Sequence, residues 1–331
     1  MELTTVWFIL IAFLFVGYFV LEGFDFGVGM LVGLLAKDEK ERRVLVNTIG
    51  PVWDGNEVWL IVGGGALFAA FPEWYATLFS GFYLPLFLIL VALIIRGVAF
   101  EYRGLRDHQA WRDRWDWAII VGSFIPALLW GVAFANIVRG VPLNESHEYV
   151  GGFFNLLNPY ALLGGVMTTA VFLTHGAIFV ALKTVGDIRV RAHAFAQRVG
   201  VVAALLAVAF IGWTAARDGD AIVWIIGAVA AAAFLGALAA SRAERDGWAF
   251  VGTALAIAAV VIMLFVSLFP DVMPSTLDPA FSLTTENAAS TPYTLKIMTW
   301  VAVAFTPIVL IYQSWSYWVF RKRIGVQHIP A

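Results

Sequence analysis

The sequence predicts an all-α, polytopic membrane protein. Three observations carry this: the amino-acid balance, the regular recurrence of apolar runs, and the placement of the basic residues. Of 331 residues, 61% are hydrophobic and 13% charged, about half the charged share of a soluble domain. Mean hydropathy is +0.84. A water-soluble fold has no means of hiding so much apolar surface, and apolar runs separated by short charged loops continue to the C-terminus. The chain therefore reads as one integral membrane domain, 1–331.

A bilayer core of about 30 Å needs about 20 apolar residues in helical form, because lipid offers backbone groups no other partner. Nine segments meet this reading, near 5–35, 51–71, 76–100, 115–138, 158–183, 196–216, 221–241, 247–269 and 292–320. The first run is longer than a signal-peptide core and lacks a basic leader, so it is expected to be retained. The second is the least regular, with Asp54 and Glu57 at its start and Gly63, Gly64 and Gly65 inside it. The tryptophans near segment ends, such as Trp7, Trp74, Trp111, Trp115, Trp300 and Trp318, suit the two membrane interfaces. Pro85, Pro126 and Pro307 interrupt segments and are read as packing features.

Every second loop is basic. Lys37, Lys40, Arg42 and Arg43 follow the first segment; Arg103, Arg106, Arg112 and Arg114 the third; Lys183, Arg189, Arg191 and Arg198 the fifth. Arg242 and Arg245 follow the seventh, and Arg321, Lys322 and Arg323 the ninth, leaving Arg139, Arg217 and Lys296 opposite. Basic residues stay cytoplasmic, which puts the N-terminus outside and the C-terminus inside. The polar stretch 271–292, acidic and without a basic residue, is then an external loop.

Ionisable groups within spans cost several kcal/mol unless paired or hydrated, and so mark function. Glu22 and Asp25 sit near the middle of the first segment, Asp54 and Glu57 at the cytoplasmic start of the second, and Arg96 about a turn inside the third. Each acid pair has i,i+3 spacing, one helix face. The four acids form a ladder from the cytoplasm to mid-membrane, suited to proton transfer. Arg96 pairs with Asp54 or Glu57 on this reading, and that pairing alone would also serve to lock two helices. His175 is the only histidine within a span. The others, His108, His147, His193 and His328, lie in loops or tails, so His175 is expected to be packed and hydrogen-bonded rather than a haem ligand. Zero cysteines exclude thiolate sites and disulfides, and the net charge of −2 gives no reason to expect nucleic acid. Nucleotide-binding loops are absent from the sequence. The residues alone thus indicate a proton-handling membrane protein. An ion-coupled secondary transporter remains an alternative, as does a purely structural membrane partner.

Longer motifs add to this. LEGFDFGVGML (21–31) and ERRVLVNTIGPVWDGNEVWLIVGGGALFAAFP (41–72) resemble subunit II of the bacterial cytochrome bd-type quinol oxidases. The likeness continues through FSGFYLPL (79–86), WDWAIIVGSFIP (115–126), GVAFANIVRGVP (131–142), NLLNPYALLGGV (155–166) and IMTWVAVAFTPIVLIY (297–312). The resemblance implies nine helices arranged as two four-helix bundles plus one peripheral helix, in the bacterial cytoplasmic membrane. It implies a haem-bearing subunit I as partner, holding two b-type haems and one d-type haem and oxidising quinol. This chain would then bind no cofactor and not be catalytic alone. Quinone, lipid and small single-helix accessory subunits are the further partners it admits. Acids matching Asp25 and Asp54 stand in the family's motifs, and the position of Asp54 belongs to a proposed cytoplasmic proton path. Glu57 stands where relatives carry a neutral amide. Only 217–220 separate the sixth and seventh segments, where some relatives carry a long external connection.

Overall fold

The computed structural model describes residues 2–329, most of them helical. In chain order the helices are α1 (Leu3–Leu35), α2 (Glu39–Ile49), α3 (Trp53–Ala70), α4 (Pro72–Gly81), α5 (Tyr83–Tyr102), α6 (Gln109–Arg139), α7 (Gly152–Asn155), α8 (Pro159–Lys183), α9 (Asp187–Asp218), α10 (Ala221–Arg242), α11 (Asp246–Leu268) and α12 (Pro292–Val319). Among the described residues, eight helices are long and apolar enough to cross a membrane: α1, α5, α6 and α8 to α12. The segment expected near 51–71 is present as α3. It falls outside the eight because Asp54, Asn56 and Glu57 crowd its first turns.

Two further departures from the sequence reading have local causes. The stretch expected as one span near 76–100 divides at Phe82, whose backbone (φ −99°, ψ 24°) ends α4 and starts α5. Pro85 then falls in the first turn of α5, where its missing N–H costs nothing. The basic loop after α1 is itself the amphipathic helix α2. Asp38 caps it by accepting from the Glu41 N–H at 2.9 Å, and Val44, Leu45 and Ile49 face the core.

The spans begin and end where their sequences direct. Asn158, Asp220 and Thr291 each accept a first-turn N–H of α8, α10 and α12, the usual N-cap chemistry. Gly219 closes α9 in the left-handed region (φ 80°) and allows the short turn into α10. α1 is central, packed against α3, α6, α8 and α11, while α5 lies on α6 and α8 through α11 pack on one another. α1 and α8 approach backbone to backbone. A Cβ on Gly27 would stand 2.0 Å from the Phe172 carbonyl oxygen, and one on Gly176 2.5 Å from the Gly27 carbonyl carbon. Without a solvent-driven hydrophobic force inside lipid, such close backbone contact supplies much of the packing attraction.

The loops that the charge pattern places on one face do share one end. Arg42 pairs with Asp113 (2.7 Å) and Asp116 (3.0 Å), Arg103 with Asp116 (2.5 Å) and Glu39 (2.8 Å), and Arg191 with Glu41 (2.6 Å). Buried Asp246 gathers Arg189 (3.2 Å), His193 (3.0 Å) and Arg323 (2.7 Å). At the opposite end, 271–292 folds into a small cap. Strands β1 (Asp271–Met273) and β2 (Leu283–Thr284) pair antiparallel, and Val141 exchanges backbone hydrogen bonds with Pro274 and Thr276, both at 3.0 Å.

Candidate functional site

Three helices meet at a buried polar cluster. α1 supplies Glu22 and Asp25, α3 supplies Asn56 and Glu57, and α5 supplies Arg96. Arg96 is fully buried. Its Nη1 donates to Glu22 Oε2 at 3.0 Å and to Glu57 Oε1 at 2.8 Å, while the guanidinium carbon lies 4.9 Å and 5.2 Å from the ring centres of Phe26 and Phe100. Pairing a charge from both sides and covering it with aromatic faces is how an intramembrane arginine is made tolerable. α6 closes against the same place, since a Cβ on Gly122 would sit 2.8 Å from Arg96 Cβ.

Asp25 takes a different partner from its neighbour. Asn56 Nδ2 donates to Asp25 Oδ2 at 2.6 Å. The Asn56 oxygen in turn accepts from the Tyr317 hydroxyl at 2.8 Å and from Gln313 Nε2 at 3.1 Å, so α12 reaches the cluster through two side chains. Four polar atoms here, Glu22 Oε1, Asp25 Oδ1, Arg96 Nε and Arg96 Nη2, are buried without a protein partner. Buried polar atoms are seldom left so, and their concentration in one place separates this cluster from ordinary packing.

On α3 the cluster runs out to the surface. Glu57 keeps 22% side-chain exposure, and Asp54, one turn nearer the α2 end, is exposed. One turn of α1 in the other direction, the Tyr18 hydroxyl accepts from Trp130 Nε1 at 3.0 Å. Beyond it, buried Phe15, Phe19, Phe134 and Phe265 contact one another edge-on or tilted. This aromatic layer separates the acids from the capped end. Chemically the site holds three carboxyl groups around a single guanidinium, an excess of acid that can accept and release protons.

Set against the sequence reading, Arg96 pairs with Glu57 as one of its two expected partners, and with Glu22 instead of Asp54. The i,i+3 spacing of Asp54 and Glu57 leaves them about 60° apart around the helix at 3.6 residues per turn. That angle puts one inside the packing boundary and the other outside. Asn56, Gln313, Tyr317 and Trp59 were not anticipated. Their signal is present, since amides inside a span are also costly to bury, but weighing only ionisable residues passes over them.

His175 is fully buried on α8. Its Nε2 lies 3.1 Å from the Val20 carbonyl oxygen and its Nδ1 2.7 Å from the Thr253 hydroxyl, and its ring stacks on Phe250 at 4.8 Å. With both ring nitrogens engaged, it offers iron no free ligand, so the residues of this chain do not fit a haem at this histidine. Among the described residues no group of three or more His, Cys, Asp or Glu is placed to hold a metal ion.

Comparison with known proteins places the chain among its relatives. The family described as cytochrome bd terminal oxidase subunit II matches residues 3–320. The chain is similar to the cytochrome bd ubiquinol oxidase subunit 2 of Bacillus subtilis (strain 168), at 46% identity over 98% of this chain and 97% of the relative. It is similar also to the cytochrome bd-I ubiquinol oxidase subunit 2 of Escherichia coli (strain K12), at 38% identity over 98% and 96%. In fold it resembles a chain of the bd oxidase structure from Geobacillus thermodenitrificans, with a TM-score of 0.78, 17% identity, and coverage of 97% of this chain and 100% of that one.

Proposed function

The chain belongs to the cytochrome bd terminal oxidase subunit II family, and we propose that it serves a quinol:dioxygen oxidoreductase of the aerobic respiratory chain as a scaffold that also conducts protons from the cytoplasm. The transporter reading falls with that membership. The observation that carries the conducting role is the cluster of Glu22, Asp25, Glu57 and Arg96, open toward Asp54 and closed behind by aromatic rings. Protons enter at exposed Asp54, pass Glu57, and reach the buried acids of α1. The conduit leads to the haems of subunit I, two of b type and one of d type on this reading, where the chemistry occurs. This chain is not catalytic alone.

The exposed face of α3 supports the partnership. Gly64 and Gly65 have open space where a Cβ would stand, and Ile61, Val62 and Phe68 are exposed beside them. An acid-bearing helix with an open glycine run is poorly suited to lipid and well suited to a partner helix. Subunit I covers this face, between α5 and α12, in our reading. α3 is then the ninth span, shielded by protein. α1, α3, α5 and α6 form one four-helix bundle, α8 to α11 the other, and α12 is peripheral. The N-terminus is outside and the C-terminus cytoplasmic. Quinone, lipid and single-helix accessory subunits are further partners.

Asp54→Asn tests conduction, since it keeps size and hydrogen bonding while removing the titratable proton. Arg96 does not depend on Asp54 for neutralisation, so the complex should assemble with normal haem spectra. It should turn over dioxygen several-fold more slowly and build membrane potential more slowly by the same factor. Normal turnover in a fully assembled complex would refute the role of Asp54.

A further inference from the structure

The amides beside the acid cluster have an orientation dictated by a single indole. Trp59 Nε1 lies 2.7 Å from Gln313 Oε1, and an indole N–H can only donate. The oxygen of Gln313 must therefore face Trp59, and its NH2 must face Asn56. That forces the Asn56 oxygen toward Gln313, where it also accepts the Tyr317 hydroxyl. The Asn56 NH2 is left with one direction, toward Asp25 Oδ2 at 2.6 Å. Reversing either amide would set donor against donor at one end of the chain. Amide orientation, ordinarily ambiguous between oxygen and nitrogen, is here fixed by the chemistry of the partners.

We infer that the one-way chain Trp59 to Gln313 to Asn56 is a positioning device that dedicates Oδ2 of Asp25 to accepting a hydrogen bond and leaves Oδ1 as the oxygen that carries the transferable proton. This deepens the proton-conducting role proposed above and rests on it. Oδ1 is buried without a protein partner, as is Oε1 of Glu22 on the neighbouring turn of α1, whose other oxygen is held by Arg96. The two acids thus present one held and one free oxygen each. A proton arriving on Asp25 is added to Oδ1 and lost from Oδ1, with no change in the Asn56 bond. The chain also insulates. Indole and amide N–H groups donate without relaying protons, so nothing in it leads a proton from Asp25 out along α12.

The seat of the anchor is built into α1. A Cβ on Gly17 would lie 2.2 Å from the Trp59 ring, and Phe13 meets that ring edge-on at 5.7 Å. Trp59 is therefore held by packing and not only by its hydrogen bond.

The test uses the assembled oxidase and difference infrared spectroscopy of its protonated carboxyl groups, with the Asp25 C=O band identified by its loss in Asp25→Asn. A donor on the carbonyl oxygen lowers that stretching frequency. Asn56→Leu should move the band to higher frequency, and Trp59→Phe, which frees Gln313 to turn over, should split or broaden it. Both variants should slow dioxygen turnover several-fold with haem spectra unchanged. If Asn56→Leu fails to assemble, Gln313→Met serves in its place, since it removes the amide between indole and Asn56, and the same split or broadened band is expected. A band identical to wild type in assembled Trp59→Phe and in the assembled Asn56 or Gln313 variant would overturn the inference while leaving conduction standing. Wild-type turnover in Asp25→Asn, with no band lost, would instead remove the conducting role of Asp25 itself and this inference with it.

Discussion

A guanidinium with no exposed surface is the most demanding residue of this chain, and its partners decide what its loss costs. Arg96 holds Glu22 at 3.0 Å and Glu57 at 2.8 Å. Its removal strands Glu22, itself fully buried, and stranding a buried charge costs about 3–5 kcal/mol. Arg96→Ala is expected to lower assembly yield and melting temperature sharply. Adding Glu22→Gln should recover part of that loss, because the stranded group can then be neutral. A double variant no more stable than Arg96→Ala would show that packing of the guanidinium stem, and not its charge, is what matters. A gentler case lies outside the membrane. Burial raises the Asp271 carboxyl above its ordinary value, so ionising it works against the folded cap. The resulting penalty is present above the folded value and vanishes in acid, below the unfolded one. Asp271→Asn should therefore melt slightly higher than wild type at neutral pH, with the difference closing as pH falls. At this scale the sequence exposed the ionisable residues and hid their pairing. Nothing local to Glu22 says that its partner lies on α5, at position 96, whereas Glu57 could be matched with Arg96 by depth.

Helices are the scale at which the sequence is most legible, because lipid leaves an apolar run of about 20 residues only one low-energy conformation. The long spans α1, α6 and α8 to α12 follow from that alone. α3 does not, since a helix facing a partner has no need to be apolar enough for lipid. The break at Phe82 also escapes a hydropathy reading, both α4 and α5 being apolar. How closely two helices pack is written in glycines but becomes readable only when the facing residue is known. Gly176 lies on Gly27, and a side chain there must push α1 and α8 apart. Gly176→Leu is expected to abolish assembly. Gly64→Leu, where nothing stands within 4 Å, should leave the subunit folded and instead weaken its association with subunit I. Co-purification of the two subunits separates these outcomes, and undiminished association of Gly64→Leu would move the interface off α3.

At the scale of the whole molecule, the least anchored helix carries two residues of the site. Of the residues of α12, only Leu295 is buried, yet Gln313 and Tyr317 must stay on Asn56. The helix is held at three levels instead of along its length. At its N-terminal end Trp7 Nε1 donates to the Leu295 carbonyl and the Thr299 hydroxyl, both at 3.1 Å. In its last two turns Gln313 and Tyr317 reach Asn56. At the other end the tail turns back: Ile324 exchanges backbone hydrogen bonds with Lys183 (2.8 Å) and Val185 (3.1 Å), Lys183 Nζ donates to the Phe320 carbonyl, and Arg323 reaches Asp246 at 2.7 Å. Sequence alone made the tail a cytoplasmic basic cluster; that one of its arginines would close on a buried acid at the start of α11 depends on the tertiary fold. Charge matters at that clasp, because Asp246 is 4% exposed and draws one arginine from α9 and another from the tail. Asp246→Asn should release the tail more than it disturbs α11, since the amide keeps the size of the side chain. The expected result in the assembled oxidase is faster hydrogen exchange across 313–329, with exchange in α10 and in the part of α11 away from its first turn unchanged. Turnover should fall, because Gln313 and Tyr317 are then held less firmly against Asn56. Unchanged exchange in the tail would mean that the backbone pairing of Ile324 holds it without the ion pair.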